Sequence, residues 1–429
     1  MATQGEPMSS SPGRKRIGRL LAGLVVGAIT LVFAAMAYEF INGGNANHEL
    51  TTLVPQGKFS DSIQTLVNPV FAIGMLVGVL VIGGIGFIAY RFRDTGDSPD
   101  DFPVQLHGKT SFEIGWTALP ALILAVVGVF TVLTLVELNK PAPEAIQVEV
   151  HGQQWWWGFR YDLNGDGNYQ GAGDITTNTE LVIPVGKTVQ LSVTSNDVIH
   201  SFWIPALNGK RDAVPGQHHP WKLEGSTIGV YRGQCTEFCG LSHANMRMIV
   251  RVVSQADYDA WVANQLKPAA EPAAGSEAAA GKALFLGQLC ASCHLINGVS
   301  NDSVNNPNSG VTHQLQSGVA PNLTHLMTRG TFIGSIQNLY DPVDPNDPTK
   351  AGDPGNVSLF GDPGAALTGG PIDQSRVNRT ELAAWIRNPL AVKPASPVKN
   401  KAGLLRGMPN LALTEIQIDQ LVAYLTTLN

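Results

Sequence analysis

From Leu66 to Tyr90, and again from Ile114 to Val136, the chain carries no charged residue. Runs of this length can each cross a hydrocarbon core about 30 Å thick as a helix. Backbone amides in lipid must be satisfied within their own segment, so a helix is the form such a run takes. The other reading, a helix buried in a soluble core, fits two such runs in succession poorly. The short polar stretch between them carries Arg91, Arg93 and Lys109 together with several Asp residues. Basic residues in a short loop mark the cytoplasmic side, and acidic ones count for little. The runs therefore form a transmembrane α-hairpin over residues 60–140, and everything after Glu137 is expected outside.

An earlier apolar run, from about Leu20 to Ala37, follows RKRIGR at 14–19 and closes on Ala35-Met36-Ala37. That order fits a cleavable signal peptide. The run is also just long enough to stay as a further transmembrane helix. Residues 1–45 are one or the other, and both give the same topology. Charged residues make up only 14% of the chain against 44% apolar, in keeping with part of it lying in lipid. A net charge of −6 without a long basic run gives no sign of nucleic-acid binding. At 429 residues, more than one domain is expected.

After about Ala145 the texture changes. IQVEVHGQQWWWGFRYD, ELVIPVGKTVQLSVTSND and MRMIVRVVS alternate apolar and polar residues, as strands do. Gly, Asn and Asp clusters separate them, which predicts an antiparallel β-sandwich or barrel over residues 141–265. KPAAEPAAGSEAAAG then reads as a linker, residues 266–281. The remainder, residues 282–429, looks helical at both ends, with a Gly/Pro/Asn/Asp-rich middle (298–378) read as loop. Its last helix is the clearest, with Thr414 and Gln417 as a capping box and Ile418, Leu421, Val422 and Leu425 on one face.

The chain has four cysteines, all in two short stretches. In CTEFCGLSHANM, Cys235, Cys239, His243 and Met246 follow at steps of four, four and three. These soft to intermediate donors suit copper or zinc and do not suit calcium or magnesium. His200, in NDVIHSFWIP, offers a second imidazole. Two bridging thiolates, an imidazole for each metal and Met246 furnish a dinuclear copper centre. Cys235, Cys239, His243 and His200 equally make a Cys₂His₂ zinc site, though that leaves Met246 idle. A disulfide is the third possibility. The second stretch, Cys290-Ala-Ser-Cys293-His294, has the form of a c-type haem attachment site, two thiols for the vinyl groups and an imidazole for the iron. A thioredoxin-like pair is the rival, but it does not call for the adjacent His294. A sixth ligand is offered by Met408 in RGMPN, with Met327 in HLMTRG as runner-up.

The first stretch resembles the dinuclear copper (CuA) loop of cytochrome c oxidase subunit II. DVIHSFWIP at 197–205 resembles the segment with the family's first histidine ligand, and KRDAVPG at 210–216 the loop that follows. GQQWWWGFRY at 152–161 resembles its aromatic strand, and FEIGWTALPALIL at 112–124 the start of its second membrane helix. The likeness spans about Ile63 to Val253. It implies a cupredoxin-like domain in which Cys235 and Cys239 bridge two coppers and His200 and His243 bind one each. Met246 is then a weak axial ligand, and the Glu237 carbonyl lies opposite. The Glu237 carboxylate is implied to reach a magnesium ion shared with the catalytic subunit. Trp155 matches the aromatic through which electrons enter, whereas Trp156 and Trp157 read as packing. Glu113, otherwise an interfacial carboxylate, is implied to stand at the mouth of a proton-uptake path. The order of Met408 after Cys290–His294 resembles class I cytochromes c, and APNLTHL at 320–326 resembles a segment of cytochrome domains fused to oxidases. KPASPVKNKAGLLRGMPN is longer than the usual approach to the methionine.

The fold expected is therefore multidomain: a transmembrane hairpin, a cupredoxin-like domain and an all-α c-type cytochrome, as in caa-type oxidases. The implied function is electron input to a proton-pumping haem–copper oxidase in a bacterial plasma membrane, with copper and haem c on the outer side. No catalytic residue is expected here, because oxygen reduction needs several intramembrane histidines and only His107 lies near a span. The implied partners are catalytic subunit I, other oxidase subunits, and an upstream cytochrome or cytochrome bc complex. A copper-containing nitric oxide reductase subunit and a zinc-stabilised membrane-anchored cytochrome are the rival readings. DLNGDGNYQGAGD at 162–174 follows calcium-loop order at first but has Gly173 where a bidentate Glu is needed. It reads as a solvated connection between two strands.

Overall fold

The computed structural model describes residues 27–28, 30–38, 50–93, 108–169, 173–288, 290–297, 320–341, 361–395 and 406–429. The chain divides into two compact units, one of residues 1–46 with 64–135 and one of 47–63 with 136–429.

The first unit holds most of helices α1 (Lys58–Arg91) and α2 (Thr110–Asn139), which contain the two uncharged runs. Both extend past those runs, because polar residues at a membrane boundary can continue a helix. Leu80, Phe87, Leu124 and Val136 stand exposed along them, as a lipid-facing surface requires. Pro69 and Pro120 lie inside these helices. Residues 27–28 and 30–37 of the earlier apolar run are also helical. The rest of that run, RKRIGR and His107 lie outside the described residues.

In the second unit, the strands are β1 (Ile146–Gln153), β2 (Trp156–Asp162), β3 (Ile175–Asn178), β4 (Glu180–Pro184) and β5 (Val189–Ser195). They continue as β6 (His200–Trp203), β7 (Lys210–Ala213), β8 (His219–Leu223), β9 (Gly229–Gln234) and β10 (Arg247–Val253). A five-stranded sheet in the order β3-β2-β1-β5-β8 shares one core with a three-stranded sheet β4-β10-β9, while β6 and β7 form their own ladder. Within this sandwich β1–β5 and β4–β10 run parallel, since each pair is joined by a long crossover rather than a hairpin. Val148, Val150, Phe159, Tyr161, Leu191 and Val193 fill the core from alternate positions. Glu149 and Arg160 face each other across β1 and β2 as a buried 2.6 Å ion pair. Residues 163–174 connect β2 to its antiparallel neighbour β3, and the Asp162 carboxylate accepts from the amides of Gly165, Asp166 and Gly167. Helix α3 (Gln255–Gln265), N-capped by Ser254, lays Trp261 against Tyr161.

The α-helices of the C-terminal domain are α4 (Glu277–Gly287), α5 (Cys290–Cys293), α6 (Arg379–Arg387), α7 (Pro389–Val392) and α8 (Glu415–Leu425), and a short antiparallel ladder pairs Thr331–Phe332 with Gln337–Asn338, so the domain is not purely helical. Thr414 and Gln417 form the capping box of α8, whose Ile418, Leu421, Val422 and Leu425 are buried. Helix α4 crosses α8 at Gly281, where a Cβ would run into the Gln420 carbonyl. The span 266–281 is not all linker. Ser276 caps α4, so the Ala/Glu-rich end of the span already forms its first turn. The described parts of 298–378 are core rather than open loop, since Leu326, Met327, Phe332, Leu339 and Tyr340 are buried. These apolar residues come singly or in pairs among Gly and Asn, with no period to betray them.

The sandwich and the C-terminal domain meet through a buried polar junction. Glu180 accepts at 2.8 Å from the amides of both Gly330 and Thr331 and at 2.9 Å from the Thr331 hydroxyl. Its other oxygen takes two bonds from Arg251. Beside it Arg329 donates to Asn178 Oδ1 and to the Asn322 carbonyl, which Asn178 Nδ2 also bonds. Burial pulls Arg329 down to about 10. Every partner lies on β3, β4, β10 or the 322–331 segment, so the junction belongs to both domains.

Candidate metal centre

The strands β9 and β10 hold the ends of one loop, and that loop carries most of the site. Gly240 turns it back with φ of +114°, a conformation that favours glycine, and the His243 amide then reaches the Gly240 carbonyl. Cys235 bonds its own amide to the Met246 carbonyl, which closes the loop. Cys235 and Cys239 lie 3.9 Å apart through their Sγ atoms and form no disulfide, whose bond is about 2.05 Å. Around them stand His200 Nδ1 at 4.0 Å from Cys235 Sγ, and His243 Nδ1 and Met246 Sδ at 3.4 and 3.7 Å from Cys239 Sγ. The Glu237 carbonyl lies 3.3 Å from Cys235 Sγ. Donors about 2.3 Å from a tetrahedral metal are separated by roughly 3.7 Å. The six donors therefore have the spacing of a ligand set, and they exceed the four that one tetrahedral ion takes.

The protonation of the cluster follows from its burial. The Cys235 thiol is pulled down to about 4, first by the hydrogen bond with Cys239 and then by that with His200, and the shared proton pushes Cys239 up. Burial alone lowers His200, but its bonds to Asp197 and Cys235 outweigh that and leave it raised. His200 Nε2 meets Asp197 Oδ1 at 2.8 Å, which turns Nδ1 toward the sulfur. Gln154 Nε2 and Trp155 Nε1 both donate to the Cys239 carbonyl, at 2.7 and 3.1 Å.

Trp155 itself is buried, as are Trp156 and Trp157, and Trp157 packs edge-on against Phe202 and His200. The Glu237 side chain is exposed beside Phe238 and Leu241. Glu113 sits in the first turn of α2, also exposed.

The second cluster is local as well. Cys290 and Cys293 occupy the two ends of α5, one turn apart, and neither is in a disulfide. His294 Nδ1 donates to the Pro321 carbonyl at 2.8 Å, which fixes the proton on Nδ1 and the lone pair on Nε2. Burial holds this ring below its ordinary pKa. A neutral imidazole with its second nitrogen bonded to a carbonyl is the form in which histidine binds a metal. Met408 is partly buried, whereas Met327 is fully buried in the domain core. Asp197, Gln154 and Pro321 are positioning groups that motif spacing did not single out. Of these only Asp197, three residues before His200, carried a local signal.

The sequence profile for the periplasmic domain of cytochrome c oxidase subunit II matches residues 146–253, and that for its transmembrane domain matches 57–133. Cytochrome c oxidase subunit 2 of Alkalihalophilus pseudofirmus is 28% identical over 397 residues, covering 91% of this chain and 94% of that one. The protein of the same name from Bacillus sp. (strain PS3) is 28% identical over 396 residues, covering 88% and 91%. Coverage of this extent takes in most of the residues after 281, so these relatives share the C-terminal extension. The probable cytochrome c oxidase subunit 2 of Rickettsia conorii is 31% identical over 235 residues, 52% of this chain and 73% of that one. With its two apolar helices as membrane anchor, the chain belongs to the cytochrome c oxidase subunit II family and is a component of a haem–copper oxidase.

Proposed function

We propose that this chain is the electron-input subunit of a proton-pumping oxidase and carries two relays of its own, a dinuclear copper centre and a covalent haem c. The observation that carries the reading is the convergence of six donors on one loop and one strand. His200, His243, Cys235, Cys239, Met246 and the Glu237 carbonyl would together hold the two coppers, the thiolates and imidazoles as the main donors and Met246 and the carbonyl as the weaker ones. Cys290 and Cys293 would hold the haem covalently, and His294 and Met408 would be the protein donors to its iron. When bound, the two groups supply successive one-electron carriers between an upstream cytochrome or cytochrome bc complex and a separate catalytic subunit that reduces oxygen to water.

The protein's part is to orient and to exclude water. Asp197 holds His200 in the tautomer that leaves Nδ1 for the metal. The Pro321 carbonyl fixes His294 in the opposite tautomer, with the proton on Nδ1 and Nε2 left for the iron. Gln154 and Trp155 pin the Cys239 carbonyl, and Trp155 is buried against that loop. Trp155 would be the point of electron entry. The exposed Glu237 carboxylate would reach a magnesium ion shared with catalytic subunit I, and Glu113 would open a proton-uptake path. Arg91, Arg93 and Lys109 favour the cytoplasmic side for the ends of α1 and α2 that they flank, so both relays lie outside a bacterial plasma membrane.

Metal analysis of the purified native complex tests the reading. Two coppers and one covalent haem per chain are expected, and rapid haem reduction should be followed by bleaching of the near-infrared copper band. One zinc without that band overturns it. A nitric-oxide-reducing catalytic subunit in the complex overturns the oxygen assignment.

A further inference from the structure

We propose that Lys393 and Arg406 are positioning residues that clamp the Met408-bearing segment of the C-terminal domain onto the copper centre. The inference rests on the reading of the two clusters given above. Arg406 stands two residues before Met408, and its guanidinium lies 3.3 Å from Asp197 Oδ2. That oxygen also accepts from the Gln154 amide at 2.9 Å, while Oδ1 meets His200 Nε2. One carboxylate thus ties the imidazole of the copper cluster to the segment with the distal methionine. Lys393 makes a second tie. Its buried amino group donates to the Trp155 carbonyl at 2.5 Å and to the Ile333 carbonyl at 3.0 Å. The adjoining Pro394 carbonyl accepts from the Ser242 hydroxyl, and Ser242 immediately precedes His243. The three bonds land on Asp197, Trp155 and Ser242, each beside a different part of the donor set.

A residue that only fills space at these positions need not donate hydrogen bonds, and burying a polar group without partners is costly. What the bonds supply is a fixed separation between the two domains' working ends. Electron transfer falls off steeply with distance, so bonds that fix this separation control its rate.

The test uses the full chain in its oxidase complex. Arg406→Gln, Lys393→Met and the double variant are compared with Arg406→Lys and with the exposed control Arg379→Gln. Copper and haem contents and spectra are recorded first. Flash-induced transfer is then timed, in which ferrous haem becomes ferric and the copper pair gains that one electron. Arg406→Gln is expected to slow transfer about tenfold with both groups retained, and the double variant further. Arg406→Lys should recover most of the rate, and Arg379→Gln should leave it unchanged. Hydrogen exchange at residues 393–395 and 406–410 should rise in the Gln and Met variants, a readout that needs neither metal. Unchanged rate and unchanged exchange in the double variant overturn the proposal. A wild-type chain without copper or haem sinks the reading of the clusters, and exchange alone then decides the clamp. If the variants do not accumulate, salt decides. The Arg406 side chain is 22% exposed, so ionic strength must weaken its pair with Asp197 and raise wild-type exchange at 406–410. Exchange that ignores salt overturns the proposal.

Discussion

Asp197 and His200 are joined by a 2.8 Å hydrogen bond between carboxylate Oδ1 and ring Nε2, both side chains almost wholly buried. The bond fixes which nitrogen faces the thiols. Asp197→Asn keeps the shape but reverses or weakens that preference. Copper affinity should fall about 10- to 100-fold, read by competition with a chelator while the near-infrared band is followed. Unaltered affinity would show that His200 is oriented by other contacts.

Met408 and Met327 answer differently to truncation. Met408→Ala should turn the haem spectrum high-spin and lower its potential, at little cost in stability. Met327 fills the C-terminal core, and its backbone amide bonds the Leu428 carbonyl. Met327→Ala should cost about 2–5 kcal/mol and leave the haem spectrum alone. Absorption and redox titration beside a denaturation curve separate the two, and exchanged outcomes would reassign the distal ligand.

Glu180→Gln should destabilise the chain by about 3–5 kcal/mol, because it leaves the Arg251 charge buried without its counter-ion. The denaturant midpoint followed through tryptophan fluorescence measures it. A loss below about 1 kcal/mol would place the junction among contacts that solvent can replace.

Acid should weaken the fold through His325. Burial depresses its pKa from 6.5, so below that pH the unfolded chain takes up a proton that the folded one refuses. Stability present above pH 6.5 is therefore lost as pH falls toward and through the folded value, with a slope of up to about 1.4 kcal/mol per pH unit. His325→Gln retains a donor for the Lys267 carbonyl and removes the titration. Melting temperatures at pH 7.5 and 5.5 should fall less in the variant than in the wild type. His151, also depressed by burial, titrates in both proteins and cancels in the comparison. Equal falls would exonerate His325.

What could be read from the sequence was whatever lies close along the chain. Cys235, Cys239, His243 and Met246 share one loop, so their spacing was enough to find them, and Thr414 with Gln417 announced α8 in the same way. The membrane helices were legible because lipid imposes one solution on an uncharged run. Other features depend on long-range partners. Lys393 is 238 positions from Trp155, and Glu180 is 151 from Thr331, so neither pairing leaves a trace in local composition. The buried residues around Leu326 and Tyr340 were hidden for another reason. They pack from irregular backbone, which has no period to recognise.

The polar junction at Glu180 bears on how such a fusion can be taken apart. A chain cut after α3 loses the amides of Gly330 and Thr331 but keeps the acid that was shaped to receive them. Water must then fill a recess built for peptide, and Asn178 faces solvent with a geometry chosen for Arg329. The C-terminal half is thus no cargo hung on a self-sufficient support. Anyone who trims it off to obtain a simpler copper protein should expect to redesign the surface left behind.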